Sequence, residues 1–139
     1  MKKTYIASDH AGFKLKEQIK EELMDMELID LGPSDETRVD YPDFAQKLCD
    51  QLKIDTTSFG ILICGSGQGM AMKANRNSHI RAALCYSEDV AAISRAHNNA
   101  NVICLGARFI DKDEAIKVLK AFFTADFEGG RHLDRVKKL

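Results

Sequence analysis

The sequence predicts one α/β domain over residues 1–139, a three-layer α/β/α Rossmann-like fold with a five-stranded parallel sheet. Short apolar runs alternate with segments of helical periodicity along the whole chain. Strands separated by helices pair in parallel through right-handed crossovers. The run FGILIC (59–64) lacks the alternation of a half-solvated strand, so both its faces should be covered. A chain of 139 residues is long enough for one core.

The first half of the chain contains three predicted strands and two predicted helices. The strands are TYIA (4–7), ELID (27–30) and FGILIC (59–64). The first helix is indicated by apolar residues at helical spacing: Leu15, Ile19, Leu23 and Met26. The second is indicated in the same way by Phe44, Leu48 and Leu52. We expect the polar segment 33–42 between them to be a loop.

The second half adds two strands, RAALCY (81–86) and NVICLG (101–106), and a short helix from Met70 to Arg76. Ser87 with Glu88 and Asp89 is a favourable helix start, and that helix should end near His97 to Asn99.

Two further helices complete the prediction. Asp111 followed by Glu114 resembles a capping box and predicts a helix running to about Ala125. The basic segment RHLDRVKKL predicts a C-terminal helix at about 131–138.

Composition excludes several classes of protein. The formal net charge is −1, which argues against a nucleic-acid coat or a polybasic membrane binder. No run approaches the roughly 18 apolar residues of a membrane span, and the N-terminal apolar stretch is too short for a signal peptide. We therefore expect a cytoplasmic protein. Cys49, Cys85 and Cys104 lie in apolar contexts without CxxC spacing and are predicted to be buried free thiols.

The segment CGSGQG (64–69) leaves several interpretations open. Its spacing, G-x-G-x-G, departs from the dinucleotide fingerprint, and Ser66 stands where a P-loop requires lysine. A tight strand-to-helix turn would explain some of the glycines. A nest of backbone N–H groups that binds an anion or a developing oxyanion would explain all of them. In that nest the pKa of the Cys64 thiol would fall, so that Cys64 could act as a nucleophile or a base, with Ser66 as a hydrogen-bond donor.

Ligands of parallel sheets bind at the carboxyl ends of the strands. This rule selects three segments: Ser8 to His10, Cys64 to Gly69, and Gly106 to Arg108.

The chain resembles the ribose-5-phosphate isomerase B family, which includes the galactose-6-phosphate isomerase subunits. The segments that carry the resemblance are SDHAGFKLK, DYPDFA, GILICGSGQGMAMKAN, RAALCY, AHNNANVICLGAR and FEGGRHLDRV. The resemblance implies an aldose–ketose isomerase of the pentose phosphate pathway. Such an enzyme interconverts ribose 5-phosphate and ribulose 5-phosphate by ring opening and proton transfer through an enediolate, without a metal or an organic cofactor. It also implies a homodimer or a tetramer, with sites built from two chains.

The resemblance assigns roles to individual residues. Cys64 matches the proton-transferring base, Ser66 a serine or threonine beside it, and His97 the group that opens the sugar ring. The remaining matched positions bind substrate: Asp9, Tyr41 and Asn98 the sugar, Gly65, Gly67 and Gly69 the enediolate, and His10, Arg108, Arg131 and Arg135 the phosphate.

The chemistry is consistent with these roles. Arg131 and Arg135 are four apart, so both could contact one phosphate, and a histidine titrates in a range suited to ring opening. We expect the set to meet around one sheet edge. We also expect at least a dimer, because the terminal helix could be too far from Cys64 of its own chain. His79 and His132 are interpreted as surface residues.

Each residue also has a simpler explanation. His97 could simply lie near a helix C-terminus, where the helix dipole favours it, and Asp9 could simply cap a helix. Arg131 and Arg135 could form a solvated face. The alternative functions are an isomerase of a hexose 6-phosphate (allose or galactose), a non-catalytic phosphosugar- or nucleotide-binding module, and a thiol hydrolase.

Overall fold

The computed structural model describes residues 2–139, and strands alternate with helices throughout that range. The strands are β1 (Thr4–Ser8), β2 (Leu28–Asp30), β3 (Phe59–Cys64), β4 (Ala82–Leu84) and β5 (Val102–Gly106). The helices are α1 (Phe13–Glu22), α2 (Tyr41–Ile54), α3 (Gln68–Ala74), α4 (Glu88–Ala96), α5 (Lys112–Thr124) and α6 (Arg131–Val136).

The five strands form one parallel sheet in the order β2-β1-β3-β5-β4. The register aligns Ser8 with Ile63 and Cys64 with Gly106, so the carboxyl ends of β1, β3 and β5 lie side by side. Helices cover both faces: α1, α4 and α5 pack on one, and α2 and α3 on the other. The predicted fold class is confirmed.

Several boundaries differ from the predicted ones. Helix α1 ends at Glu22, and the apolar pattern continues to Met26 because Leu23 and Met26 are buried in the turn that follows. Helix α2 begins inside the segment predicted to be a loop, with Pro42 in its first turn, where the missing N–H costs nothing.

Three shorter elements also differ. Helix α3 begins two residues before Met70 and stops at Ala74, β4 comprises only Ala82–Leu84, and α6 ends at Val136 rather than near residue 138. The predicted caps are present: Ser87 Oγ accepts from the backbone of Val90, and Asp111 Oδ1 accepts from the backbone of Glu114.

Helix α4 connects the two edges of the sheet. It starts after β4, at the carboxyl edge, and runs back to His97, its C-terminal cap, from which a short turn enters β5 at the amino edge. The backbone N–H of Glu128 donates to Ala96 O at 3.0 Å, so the segment before α6 also lies at the amino edge. No helix within residues 2–139 combines the length and the apolarity needed to cross a bilayer.

Candidate active site

Cys64 is the last residue of β3 and is 5% exposed. Its Sγ accepts a hydrogen bond from the backbone N–H of Gly67 at 3.1 Å. Gly67 has φ 78°, in the left-handed region, and a Cβ there would lie 3.0 Å from the carbonyl carbon of Leu105. Glycine is therefore required for the turn that directs this N–H at the sulfur.

The other three cysteines are free, buried thiols, as predicted. Burial raises the pKa of Cys49 and of Cys85 to about 11. Burial also raises the pKa of Cys104 well above its ordinary value, because this side chain is completely enclosed. These thiols stay protonated and unreactive at neutral pH, which leaves Cys64, at the strand end, as the thiol placed for chemistry.

Two long side chains lie against the glycine loop, defined here as residues 65–69. The Arg108 guanidinium occupies the space next to Gly65, where an added Cβ would be 3.0 Å from its Nη1. The Tyr41 ring fills the corresponding space beside Gly69. The glycines thus allow Arg108 and Tyr41 to approach the loop backbone closely.

Ser66 is held at the centre of the loop. Its Oγ accepts from the backbone N–H of Gln68 at 3.3 Å, and its carbonyl accepts from the Tyr86 hydroxyl at 2.9 Å. The sequence analysis did not predict a role for Tyr86, which is the last residue of the predicted strand RAALCY.

Asp9 and His10 follow β1 at the same edge. Asp9 is 6% exposed, and its Oδ1 accepts from the backbone N–H of Gly12 at 3.0 Å, so it shapes the turn into α1. His10 Nδ1 lies 3.2 Å from the backbone N–H of Val39, which donates to it in the tautomer with an unprotonated Nδ1. Both residues, with Tyr41, line a cavity of about 500 Å³. Arg38 lines it too and was not predicted.

We call this group the carboxyl-edge cluster. Its members are Asp9, His10, Arg38, Tyr41, Cys64, the glycine loop and Arg108.

A second group surrounds His97. The rings of His97 and His132 stack with centroids 4.2 Å apart. Glu128 Oε2 lies 3.7 Å from Nε2 of His97 and 3.4 Å from Nε2 of His132. The interpretation of His132 as a surface residue is wrong: only 10% of its side chain is exposed, because the ring is covered by His97. His79, also interpreted as surface, is half-buried, with Nε2 2.7 Å from Cys49 O.

The two histidines, Asn98 and Arg135 line a cavity of about 250 Å³. Arg131 and Arg135 lie one turn apart on α6, and both are exposed. This amino-edge cluster consists of His97, Asn98, Glu128, Arg131, His132 and Arg135.

The two clusters lie at opposite ends of the sheet. Cys64 pairs with the last residue of β5, whereas the turn after His97 enters its first residue. The four steps from Val102 to Gly106, at about 3.3 Å each, separate these levels by roughly 13 Å. Within one chain, therefore, His97, Asn98, Arg131 and Arg135 do not lie at the edge where the other predicted site residues meet, contrary to the expectation of one shared edge.

The class of protein follows from the fold and the two clusters. A thiol at a strand end beside loop amides suits proton transfer next to a carbonyl, and paired arginines with histidines suit a phosphorylated substrate. Together they define a sugar-phosphate isomerase on a parallel α/β sheet. The family model described as Ribose/Galactose Isomerase matches residues 4–139, and the chain belongs to that family.

Individual relatives agree with this assignment. The chain is 46% identical to a probable ribose-5-phosphate isomerase B of Mycoplasma genitalium, covering 97% of this chain and 91% of that protein. A crystal structure of ribose 5-phosphate isomerase from Thermotoga maritima matches with a TM-score of 0.95 and 45% identity, covering 98% of this chain and 95% of that one. Ribose-5-phosphate isomerase B from Mycoplasma genitalium, crystallised with bound ribulose-5-phosphate, matches with a TM-score of 0.93 and 46% identity, covering 98% and 92%.

Proposed function

We propose that the protein is a ribose-5-phosphate isomerase that interconverts ribose 5-phosphate and ribulose 5-phosphate. The observation that carries the proposal is the relative that binds ribulose-5-phosphate and shares 46% identity over 98% of this chain. The Cys64 thiol and the backbone amides of the glycine loop, at the end of β3, support the same reaction. An aldose–ketose isomerisation needs a base and a group of donors that stabilises negative charge.

Cys64 is the base in this proposal. As a thiolate it takes the proton from C2 of the open-chain aldose. The C2–H electron pair forms the C1=C2 double bond, and the carbonyl pair moves onto O1, which gives an enediolate. Cys64 then returns the proton to C1 while the O2–H proton passes to O1. A base of this kind contributes about 10²–10⁴ in rate.

The glycine loop stabilises the enediolate. Its backbone N–H groups are fixed by the left-handed turn at Gly67 and by the contacts of Arg108 and Tyr41. Donors held in this way need no reorganisation as charge develops, and the loss of one such donor costs about 3–4 kcal/mol. Ser66 adds a side-chain donor from the same loop, and Asp9 and Tyr41 bind sugar hydroxyls.

Ring opening and part of the phosphate contact require four residues of the amino-edge cluster. His97 protonates the ring oxygen and takes the anomeric proton, Asn98 binds the sugar, and Arg131 with Arg135 grips the phosphate beside His10 and Arg108. Since these four groups lie about one strand length from Cys64 in the same chain, a second copy supplies them. The active form is therefore a homodimer with sites shared between chains.

An exposed apolar surface supports the association of two chains. Tyr86, just before α4, and Val90 and Ile93, one turn apart on α4, are 44%, 49% and 50% exposed. Exposed apolar groups gathered in this way are typical of association surfaces. We further propose that residues 1–139 act as one domain in the cytoplasm, and that the reaction needs neither a metal nor an organic cofactor.

The test is a direct assay of ribose 5-phosphate conversion with a chelator present. We expect turnover that the chelator leaves unchanged. The same assay with galactose 6-phosphate and allose 6-phosphate checks the alternative substrates of the family. Much faster turnover of a hexose phosphate would make the substrate assignment wrong. Binding of all three sugars without turnover would indicate a phosphosugar-binding module instead.

A further inference from the structure

Three metal-ligating side chains converge in the amino-edge cluster. One ring nitrogen of His97, one of His132 and a carboxylate oxygen of Glu128 all lie within 4.8 Å of one another. They come from separate elements: the C-terminal cap of α4, α6, and the loop between α5 and α6. The steps proposed above use His97 but give no task to Glu128 or His132.

The spacing fits a small transition metal. Zinc binds imidazole nitrogen at 2.0–2.1 Å and carboxylate oxygen at 2.0–2.2 Å in tetrahedral geometry, so neighbouring ligand atoms lie about 3.4 Å apart. The contacts from Glu128 Oε2 are 3.4 Å to His132 and 3.7 Å to His97. The carboxylate oxygen thus already lies at or near the spacing of neighbouring zinc ligands from both nitrogens.

The rings must turn for the ion to bind. They stack at an interplanar angle of 12°, which keeps their nitrogen lone pairs in two nearly parallel planes, where they cannot converge on one ion. His97 has the freedom to rotate, because 38% of its side chain is exposed. His132 is held by its covered ring and serves as the fixed ligand.

The donor set selects the class of metal. Two imidazoles and one carboxylate suit Zn²⁺, whereas Mg²⁺ and Ca²⁺ prefer oxygen ligands alone. Three protein ligands leave a fourth position for water. The carboxylate of Glu128 balances part of the charge, and Arg135, which lines the same cavity, opposes it. Binding should therefore be reversible rather than as tight as at a structural zinc site.

We propose that His97, Glu128 and His132 form an inhibitory Zn²⁺ site. The bound ion occupies the Nε2 lone pair of His97, so this histidine can no longer accept the anomeric proton. The inhibition rests on the proposed function of His97, but the binding does not. Free Zn²⁺ thus lowers isomerase activity, and a chelator restores it.

Calorimetric titration of the metal-free full-length protein with ZnCl₂ tests binding without reference to activity. We expect one site per chain, weakened at least about tenfold by Glu128→Gln and by His132→Asn. Cys64→Ala and His79→Asn are matched controls, since each removes a competing zinc ligand, a thiol or a histidine, that lies outside the proposed site. Neither substitution should change the zinc affinity. Circular dichroism checks that every variant folds.

Two results would overturn the site: zinc affinity that persists in both Glu128→Gln and His132→Asn, or affinity that disappears in Cys64→Ala. With Co²⁺ as a spectroscopic substitute, the site predicts no thiolate-to-metal charge-transfer band, and a strong band would also contradict it.

The activity assay tests inhibition separately. Glu128→Gln should retain the wild-type rate without zinc and need at least about ten times more zinc for half inhibition. Zinc that binds the wild type as expected yet leaves turnover unaffected would overturn the inhibitory role and count against His97 as the ring-opening group. A protein that binds zinc in this manner but converts no sugar phosphate would instead refute the proposed function alone.

Discussion

The two edges of the sheet are built in different ways. At the carboxyl edge Cys64 is 5% exposed and held by a backbone N–H of a turn that only glycine adopts comfortably. At the amino edge the predicted groups are mostly exposed, and they come from a helix cap and a six-residue terminal helix. The rigid edge suits the step that needs fixed donors, and the open edge suits substrate capture. In the proposed dimer, two chains together bring both edges to the same sugar.

The largest effect should come from Cys64→Ala. Loss of the base should lower kcat by about 100- to 10,000-fold while substrate binding is kept, because the loop amides and the phosphate contacts remain. Steady-state kinetics and calorimetry with ribose 5-phosphate measure the two separately. Cys49→Ala, which removes a buried thiol from α2, should keep the wild-type kcat. A Cys64→Ala enzyme within tenfold of wild type would exclude the thiol as the base.

Mixing variants tests whether the two edges act across chains. In a dimer of Cys64→Ala with His97→Asn, one of the two shared sites keeps both groups. Random exchange makes half of the dimers mixed, so co-refolding should recover about a quarter of wild-type activity from two nearly inactive proteins.

Separately refolded single variants are the control for this recovery. If the mixture stays as inactive as its parts although mixed dimers form, as seen by native mass spectrometry, each site lies within one chain.

The stability of the two edges should differ as well. Lys16 is fully buried, and its Nζ lies 2.7 Å from both Asp30 oxygens and from Pro33 O. Lys16→Met keeps the volume but loses these charged hydrogen bonds, which should lower the free energy of unfolding by about 2 kcal/mol. Glu128→Gln, at an exposed contact, should change it by less than about 0.5 kcal/mol.

Urea unfolding followed by circular dichroism measures both values. Equal losses in the two variants would contradict the contrast between a rigid edge and an open one.

The smallest expected effect is a dependence of stability on acid. Burial alone would raise the pKa of Asp30, but hydrogen bonds from Lys16 and Lys20 outweigh it and hold the pKa below its ordinary value of 3.8. The ionised Asp30 therefore stabilises the folded protein fully at pH values above 3.8. This stabilisation is lost as the pH falls through the lower pKa that Asp30 has in the folded protein.

Wild type should therefore lose stability more steeply than Asp30→Asn between pH 5 and pH 2. Unfolding midpoints across that range measure the difference. Parallel curves would mean that the pKa of this carboxylate is the same in the folded and unfolded protein.

The carboxyl edge was largely predictable from sequence. Apolar runs identified β1, β3 and β5, and parallel pairing then placed Asp9, Cys64 and Arg108 at one edge. The glycine spacing indicated close backbone approach, but not that Tyr41 and Arg108 are what approaches. Which side chain fills a space beside a glycine is decided by packing between distant segments.

The amino edge was predictable in part. A helix that returns between parallel strands must end at their starting edge, so the position of His97 was implicit in the predicted end of α4. The stacking of His132 on His97 was not, because it depends on where the last helix docks. The spacing of Glu128 and His132, four residues apart, was the one available signal.

The enclosure of Lys16 gives the protein a built-in reporter. An amine-reactive reagent cannot reach a side chain with no exposed surface, so modification of this lysine records only those moments when the contacts of its amine with Asp30 and Pro33 open. Timed labelling followed by peptide mapping would then give the frequency of that opening. Slower labelling in the presence of substrate would show that binding at the cavity lined by Asp9, His10 and Tyr41 also stabilises these contacts.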